Sequence, residues 1–278
     1  MKTCIRLSVL ADNTVLAGNT MGEHGLAFCV DTDEKCILFD TGQGRVLLAN
    51  AEVMQLNLDA VDTVILSHGH YDHTGGLGLV LRNAASPVTV ITHPDARLSR
   101  FYNSDSGVRD ISMPSECQTA LLGDRCKIIT SKVPVEVSRG IWTTGEVPRK
   151  YKEEQISEPF FLDSECAKPD PIMDDQAVYI ATDSGTVVLL GCAHSGVINT
   201  LDHIKTLTGE KPIRSVIGGM HLRASDDVRL RWTLKKLAEF EIGIISPMHC
   251  TGYRAFAAIF SAFPLACRPC GAGMVMNF

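Results

Sequence analysis

The sequence predicts an α/β fold made of two β-rich halves, each with helices on one side, around a variable middle. Short apolar runs bounded by turn residues recur up to about residue 95 and again from Gln176 onward. Helical periodicity follows several of these runs. The middle segment, about 94–172, has weaker periodicity and is rich in proline, serine and charged residues. These features predict one domain over residues 1–278 with an insertion or cap at about 94–172.

The elements of the first half follow from apolar runs and the turns between them. The first two runs are separated by a polar five-residue turn, which predicts a hairpin. A glycine-rich turn follows the second run and precedes a stretch with helical spacing. In order, the predicted elements are strands at 27–30 and 36–39, a helix within 45–57, a strand at 61–66, a helix at 77–83 and a strand at 88–91.

The second half repeats this alternation after a short strand at 126–129 in the insertion. Ser195 precedes a periodic stretch, so we expect it to be the N-cap of a helix. The predicted elements are strands at 177–181, 186–190, 213–217 and 242–245, and helices at 196–207, 228–240 and 252–263.

Composition places the chain among ordinary globular proteins. It has 278 residues, 45% of them hydrophobic and 21% charged, which excludes disorder, collagen-like structure and coiled coil. The net charge of −6 disfavours nucleic acid as a partner. No apolar run spans a bilayer, and Arg6 and Asp12 interrupt the N-terminal segment, so we expect no membrane association and no secretion. Ten cysteines in such a chain predict reduced thiols and a cytoplasmic location.

A dense group of metal-capable side chains directly follows the strand at 61–66. His68-Gly-His70-Tyr-Asp72-His73 supplies four such side chains within six residues. Because alternate residues of a loop share a side, His68 and His70 can face one metal, and Asp72 and His73 can serve a second. Imidazole and carboxylate ligands suit Zn²⁺, Fe or Mn.

Three further histidines each follow a strand and a short loop. They are His194, His221 and His249. Loops at the carboxyl ends of strands are where α/β scaffolds gather catalytic groups. Asp40 also ends a strand and is suited to orienting a ligand histidine. Together these residues predict a metal centre with one or two ions. Cys192 and Cys250 neighbour the histidines and are predicted to be packing residues rather than ligands.

The His68-x-His70-x-Asp72-His73 motif, with the downstream histidines, resembles the metallo-β-lactamase superfamily. The resemblance implies a four-layer αβ/βα sandwich that holds one or two divalent ions, with Zn²⁺ expected first and Mn or Fe as alternatives. It implies that metal 1 is held by His68, His70 and His194, and metal 2 by Asp72, His73 and His249. Members often have a bridging aspartate between the last two histidines. This sequence has His221 there, as a substitute ligand or a substrate contact.

A narrower resemblance covers nearly the whole chain. Glu23-His-Gly25, Leu38-Phe-Asp-Thr-Gly-Gln43, Thr144-Gly-Glu-Val-Pro-Arg149, Asp174-Asp-Gln-Ala177 and Gly191-Cys-Ala-His-Ser-Gly196 occur in order around the central motif. They resemble the subgroup that contains dihydropterin ribofuranosylaminobenzene-phosphate synthase. This likeness implies a metal-dependent enzyme for a phosphorylated or diphosphate-ester small molecule, in a pterin-related transfer that releases pyrophosphate. A hydrolase of a phosphodiester, ester or lactone is the alternative, and a non-catalytic metal-bound sensor or binding protein is a third.

Candidate catalytic and substrate residues complete the prediction. Asp72 and His221 are candidates for catalysis, and Glu23 and His24 for acid/base work or substrate contact; the alternative for the latter pair is an ordinary polar turn. Glu146 and Arg149 lie on the insertion, where Arg149 could clamp a phosphate. Solvated loop charges are the alternative for both. The sequence does not determine the oligomeric state.

Overall fold

The structure is a computed structural model that describes residues 5–278. The chain forms two compact units. Unit 1 contains the described residues up to Lys132, together with Ser157–Asp174 and Gly271–Phe278. Unit 2 contains Val133–Ile156 and Asp175–Cys270. Residues from the predicted insertion therefore contribute to both units.

Sixteen strands are present in the described part of the chain. They are β1 Arg6–Ala11, β2 Ala27–Asp31, β3 Cys36–Phe39, β4 Thr63–Ile65, β5 Val88–Thr92, β6 Phe101–Ser104, β7 Gly107–Asp110, β8 Cys126–Thr130, β9 Glu136–Ser138, β10 Ile141–Thr143, β11 Phe160–Phe161, β12 Val178–Thr182, β13 Gly185–Leu190, β14 Ile213–Gly219, β15 Ile244–Met248 and β16 Val275–Asn277.

Seven α-helices accompany these strands within residues 5–278. They are α1 Leu47–Val53, α2 Tyr71–Thr74, α3 Leu77–Asn83, α4 Ser115–Ala120, α5 Val197–Thr208, α6 Asp227–Ala238 and α7 Tyr253–Ala262. Single 3₁₀ turns lie at Leu58–Ala60, Pro94–Arg97, Lys152–Glu154 and His249–Thr251. Across the described residues, no helix combines the length and the apolar character needed to cross a membrane.

Unit 1 is built on a seven-stranded sheet in the order β16-β1-β2-β3-β4-β5-β8. Its core includes Leu38 and Val64 from the strands and Leu77 and Val80 from α3, all buried. Burial of each such side chain contributes about 1.5–3 kcal/mol. Because β3 and β4 are parallel neighbours, their carboxyl ends lie at the same edge of the sheet. A separate three-stranded sheet, β11-β6-β7, also belongs to this unit.

Unit 2 is built on a six-stranded sheet in the order β15-β14-β13-β12-β10-β9. The strands β13, β14 and β15 are parallel neighbours, so their carboxyl ends share one edge. Helix α5 buries Val197, Leu201 and Ile204 in the core of this unit. The spacing of these residues, at i, i+4 and i+7, places them on one face of the helix.

The predicted helices and strands are confirmed, with ends shifted by a few residues. The hairpin of β2 and β3 is confirmed by their antiparallel pairing. The N-cap predicted for α5 is wrong. Gly196, not Ser195, occupies that position, and it supplies no side-chain cap. Both carboxylate oxygens of Glu154 accept the helix N–H groups instead, from Ile198 at 2.9 Å and Asn199 at 2.7 Å.

Gly196 is required by this arrangement. Its φ is 99°, a conformation that L side chains rarely adopt, and a Cβ there would lie 2.2 Å from Oε2 of Glu154. A serine or threonine at this position therefore cannot cap α5 while Glu154 keeps its place.

Candidate metal centre

The central motif of unit 1 occupies the loop after β4 and the short helix α2. His68 and His73 are fully buried, and His70 and Asp72 are only 5% and 6% exposed. A buried imidazole or carboxylate requires a polar partner, because its desolvation otherwise costs several kcal/mol. The contacts of these four side chains therefore show how the motif is held.

Two imidazole nitrogens of the motif point at each other. Nε2 of His68 lies 2.9 Å from Nδ1 of His70, and the two rings meet at an interplanar angle of 77°. The other ring nitrogen of His68, Nδ1, lies 2.8 Å from the hydroxyl of Ser67. Ser67 thus fixes the ring so that Nε2 faces His70. Two nitrogens this close can both ligate one cation, since Zn–N bonds are about 2.0–2.1 Å long.

Asp40, at the carboxyl end of β3, holds the ring of His73. Its Oδ2 lies 2.7 Å from Nδ1 of His73, and both side chains are fully buried. The same carboxylate accepts the backbone N–H of Ser67 at 2.7 Å and its hydroxyl at 2.7 Å. The contact at Nδ1 leaves Nε2 of His73 directed toward Asp72, whose Oδ2 is 3.9 Å away. A carboxylate behind a histidine is the arrangement that orients metal-ligating imidazoles.

A second buried carboxylate fixes the backbone of the same loop. The N–H of Gly69, between His68 and His70, donates to Oδ2 of Asp174 at 2.7 Å. Asp174 in turn is bound by Arg100 at 2.6 Å. The sequence analysis did not predict a role for Asp174 or Arg100. The one sequence feature that pointed to Asp174 was its place in the Asp174-Asp-Gln-Ala177 string, which is part of the subgroup resemblance.

The strand-end histidines of unit 2 come together at one edge of the sheet. His194 follows β13, His221 follows β14 and His249 follows β15. The ring centroids of His194 and His221 are 4.1 Å apart. His221 and His249 have positive φ values of 46° and 48°. Such conformations are uncommon for residues other than glycine, and they cluster at functional sites, where surrounding structure holds them.

Buried polar contacts fix the loop that carries His194. The backbone N–H of Ser195 donates to Oδ2 of Asp175 at 2.9 Å. Burial raises the pKa of Asp175 to about 6, while the Ser195 hydrogen bond and the charge of Arg149 act in the opposite direction. Arg149 also donates to the Ser195 hydroxyl at 3.4 Å. Of the two substrate candidates on the insertion, Arg149 therefore lies at the His194 loop, and Glu146 is half-buried on the segment after β10.

Glu23 and His24 lie in unit 1 with different surroundings. The carboxylate of Glu23 accepts backbone N–H groups from Gln43 at 2.9 Å and Arg45 at 3.1 Å. Burial raises its pKa, and these backbone hydrogen bonds oppose the shift. Nε2 of His24 lies 3.2 Å from Oδ2 of Asp72, and its side chain is 46% exposed. His24 is thus the candidate that joins Asp72 to solvent, whereas Glu23 holds the turn after β3.

The side chains in both units fit a divalent cation. Unit 1 offers two converging imidazoles and a carboxylate–imidazole pair, and unit 2 offers imidazoles at one sheet edge. Nitrogen and oxygen donors of this kind suit Zn²⁺, Mn²⁺ and Fe²⁺. The number of ions and the division of ligands between them stay predictions.

Comparison with known proteins agrees with this chemistry. A 7,8-dihydropterin-6-methyl-4-(β-D-ribofuranosyl)-aminobenzene-5'-phosphate synthase of Methanocaldococcus jannaschii is 27% identical over 269 residues, covering 92% of this chain and 90% of that protein. An uncharacterized protein of the same organism is 30% identical over 253 residues, covering 91% and 93%. The crystal structure of Tm1679, a metal-dependent hydrolase of the β-lactamase superfamily, matches 99% of both chains with 28% identity and a TM-score of 0.84.

The fold and the sequence lead to the same family. The mixed α/β fold with several sheets matches the metallo-β-lactamase fold of Tm1679, which confirms the predicted fold class. The sequence model of the metallo-β-lactamase superfamily matches residues 21–249, a span that includes all six predicted metal ligands. The chain therefore belongs to the metallo-β-lactamase superfamily.

Proposed function

We propose that this protein is a metal-dependent enzyme that acts on a small phosphorylated or diphosphate-ester molecule. The observation that carries the proposal is the 2.9 Å approach of the His68 and His70 ring nitrogens inside a buried, hydrogen-bonded loop. An ordinary core histidine donates to a carbonyl or carboxylate. Two imidazole nitrogens that face each other in this loop share one proton, and once that proton is lost they can share a cation instead.

The proposed ligands are the six residues that the superfamily resemblance implies. One ion would be held by His68, His70 and His194, and a second by Asp72, His73 and His249. Zn²⁺ is the first candidate, with Mn²⁺ and Fe²⁺ as alternatives. A bound divalent cation supplies Lewis acidity toward a phosphoryl oxygen and lowers the pKa of water.

The chain's own residues support three further tasks. Arg149, beside Ser195, is placed to bind a phosphate group of the substrate. His24 contacts Asp72 and reaches solvent, so it is suited to carry a proton between the site and bulk water. His221 is a substitute for the usual bridging aspartate or a substrate contact. Asp40 keeps the Nδ1 proton of His73 in place.

A transfer reaction is the first version of this proposal, because the Methanocaldococcus relative is named as a synthase. In this version the C–O bond of a pterin-related diphosphate ester breaks and pyrophosphate leaves with the bonding electrons. A carbon or nitrogen nucleophile forms the new bond and gives up its proton. The leaving group carries most of the developing negative charge, which is why a cationic site accelerates the step.

A hydrolysis reaction is the second version, because Tm1679 is described as a metal-dependent hydrolase. Water then takes the place of the nucleophile and attacks the phosphorus or carbonyl carbon of a phosphodiester, ester or lactone. The bond from that atom to the ester oxygen breaks, and the leaving oxygen receives a proton from the water. Both versions use the same residues. A non-catalytic metal-bound sensor would keep these residues without turnover.

Metal analysis tests the site itself. We expect the purified chain to bind divalent metal, and H68A and D72A to lose most of it, because each change removes a donor from a buried cluster. H203Q is the matched control, since His203 is half-buried and contacts the Thr144 carbonyl at 3.2 Å instead. Metal content is measured by mass spectrometry on protein prepared without chelators. Less than one ion per wild-type chain, or equal content in H68A and H203Q, would contradict the proposal.

A substrate panel separates the three versions. Pyrophosphate release from a pterin diphosphate only in the presence of an aminobenzene nucleophile supports transfer. Turnover of simple phosphodiesters, esters or lactones alone supports hydrolysis. Binding of metal and of panel compounds without turnover supports the sensor.

Replacing Asp40 by asparagine is expected to weaken metal binding about 10–100-fold, as is usual for residues behind metal ligands. An asparagine NH₂ in the place of Oδ2 cannot accept the Nδ1 proton of His73, so the ring is driven to the wrong tautomer. The dissociation constant is measured by competition with a chelator. D62N is the control. Asp62 directly precedes β4, and its carboxylate accepts the backbone N–H of Cys36 at 2.9 Å rather than a histidine N–H. An unchanged constant in a folded D40N protein would exclude this role for Asp40.

A further inference from the structure

Two cysteines and a histidine of unit 2 form a compact cluster of soft and borderline ligands. Sγ of Cys192, Sγ of Cys250 and one ring nitrogen of His221 all lie within 4.8 Å of one another. Cys192 precedes the His194 loop, and the other two residues follow β14 and β15. The proposed function assigns no role to either thiol.

The backbone is built to admit the thiol of Cys250. A Cβ at Gly219, the last residue of β14, would lie 2.6 Å from Sγ of Cys250 and 2.4 Å from the carbonyl oxygen of Gly191. Any other residue at this position would displace the thiol from the cluster. The positive φ of His221, 46°, is a second conformational cost at the same sheet edge.

The contacts of Cys250 keep its sulfur toward the other two ligands. Its Sγ lies 3.5 Å from the carbonyl oxygen of Cys192 and is placed to donate its proton there. Cys192 is buried and Cys250 is half-buried. A cation that reaches the cluster meets two sulfurs and an imidazole.

Two thiolates and an imidazole bind some divalent cations more tightly than others. Thiolate and imidazole ligands select Zn²⁺ and its thiophilic analogues Co²⁺ and Cd²⁺ over Mg²⁺, Ca²⁺ or Mn²⁺. Three protein ligands leave a fourth position open, which is the pattern of catalytic rather than structural zinc. The imidazole and carboxylate donors of unit 1 lack this preference for soft ions.

We propose that Cys192, His221 and Cys250 form a binding site for a thiophilic divalent cation. Each thiol gives its proton to solvent as its sulfur binds, so one cation releases two protons and the site gains no net charge. The proposal takes His221 as a ligand of this thiol site rather than as a substrate contact. It concerns binding alone and does not depend on which reaction the protein catalyses.

Cobalt substitution of the full chain tests it. Protein stripped of metal under reducing conditions is titrated with Co²⁺. We expect a thiolate-to-cobalt charge-transfer band in the near ultraviolet that is lost in both C192S and C250S and retained in H68A. C36S is the matched control, because Cys36 forms another thiol pair, with Cys29 at 3.8 Å. Absence of the band in the wild type, or its survival in C250S, would overturn the proposal.

A second measurement needs no change in the cluster. X-ray absorption at the zinc edge of C36S protein saturated with Zn²⁺ should show sulfur neighbours at about 2.3 Å. A shell of nitrogen and oxygen neighbours only would overturn the thiolate site. That outcome would leave the proposed function intact, because the six ligands proposed there do not include the thiols. The H68A variant tests those ligands separately, since it should lose metal while it keeps the cobalt band.

Discussion

Replacing Arg100 by methionine is expected to lower the free energy of unfolding by about 3–5 kcal/mol. Arg100 is only 1% exposed and its guanidinium binds two buried carboxylates, Oδ2 of Asp170 at 2.6 Å and Oδ1 of Asp174 at 2.6 Å. A methionine fills a similar volume but leaves both carboxylates without their cation. A buried charge left without its partner destabilises the protein by far more than the intact ion pair stabilised it.

The R100M substitution is also expected to weaken metal binding by the loop that carries His68 and His70. Asp174 uses its other oxygen, Oδ2, to accept the N–H of Gly69. Arg100 therefore connects the two ends of the predicted insertion to the loop that carries His68 and His70. If Asp174 moves or becomes protonated, that loop loses a buried hydrogen bond, so metal affinity should fall together with stability.

Urea denaturation of metal-free protein measures the change in the free energy of unfolding. K236M is the control, because Lys236 forms an ion pair with Glu239 at 2.8 Å on the surface, and such pairs contribute about 0–1 kcal/mol. Adding D170N and D174N to R100M should recover part of the loss, since the buried charges are then removed and an asparagine oxygen can still accept from Gly69. A loss in R100M no larger than that in K236M would rule out this account.

Sequence reasoning reached the features that are local in the chain. The alternation of apolar runs and turns predicted the strands and helices, and α3 at Leu77–Asn83 has the predicted bounds. The His68–His73 motif was found because its spacing lies within one loop. Asp40 was predicted because it lies at the end of an apolar run read as a strand, and the structure shows that this strand, β3, is a parallel neighbour of β4.

Contacts between distant segments could not be predicted in this way. Arg100 lies 74 residues before Asp174, and Glu154 lies 44 residues before Ile198, so no spacing pattern links either pair. The prediction of Ser195 as an N-cap failed for the same reason. It assumed that the cap of α5 comes from the adjacent residue, whereas the cap is a carboxylate from the insertion.

Glu154 is expected to make stability depend on pH between about 4.5 and 7. Its carboxyl is only 2% exposed, and burial raises its pKa from 4.5 to about 7. The Ile198 and Asn199 amides and the charge of Arg229 lower this pKa, and Asp202 raises it, but burial is the largest effect. The N-terminus of α5 also favours a negative charge by about 0.3–1 kcal/mol. Removal from water therefore outweighs every contact that stabilises the carboxylate.

The direction of the effect follows from proton binding. Below pH 4.5 the folded and unfolded states both hold the proton on Glu154. As the pH rises toward 7, the unfolded state releases its proton while the folded state keeps it, so the free energy of unfolding falls. A shift from 4.5 to about 7 corresponds to a decrease of about 3 kcal/mol across this window.

Comparison of wild type with E154Q isolates this contribution, because other titrating groups, including Asp175, affect both proteins equally. Glutamine keeps one acceptor for the amides of α5 but cannot ionise. We expect the free energy of unfolding of wild type to fall relative to that of E154Q as pH rises from 4.5 to 7, and the E153Q control to follow wild type throughout. A wild-type free energy of unfolding that stays constant relative to E154Q, or rises, would mean that the two helix amides hold Glu154 ionised in the folded protein despite its burial.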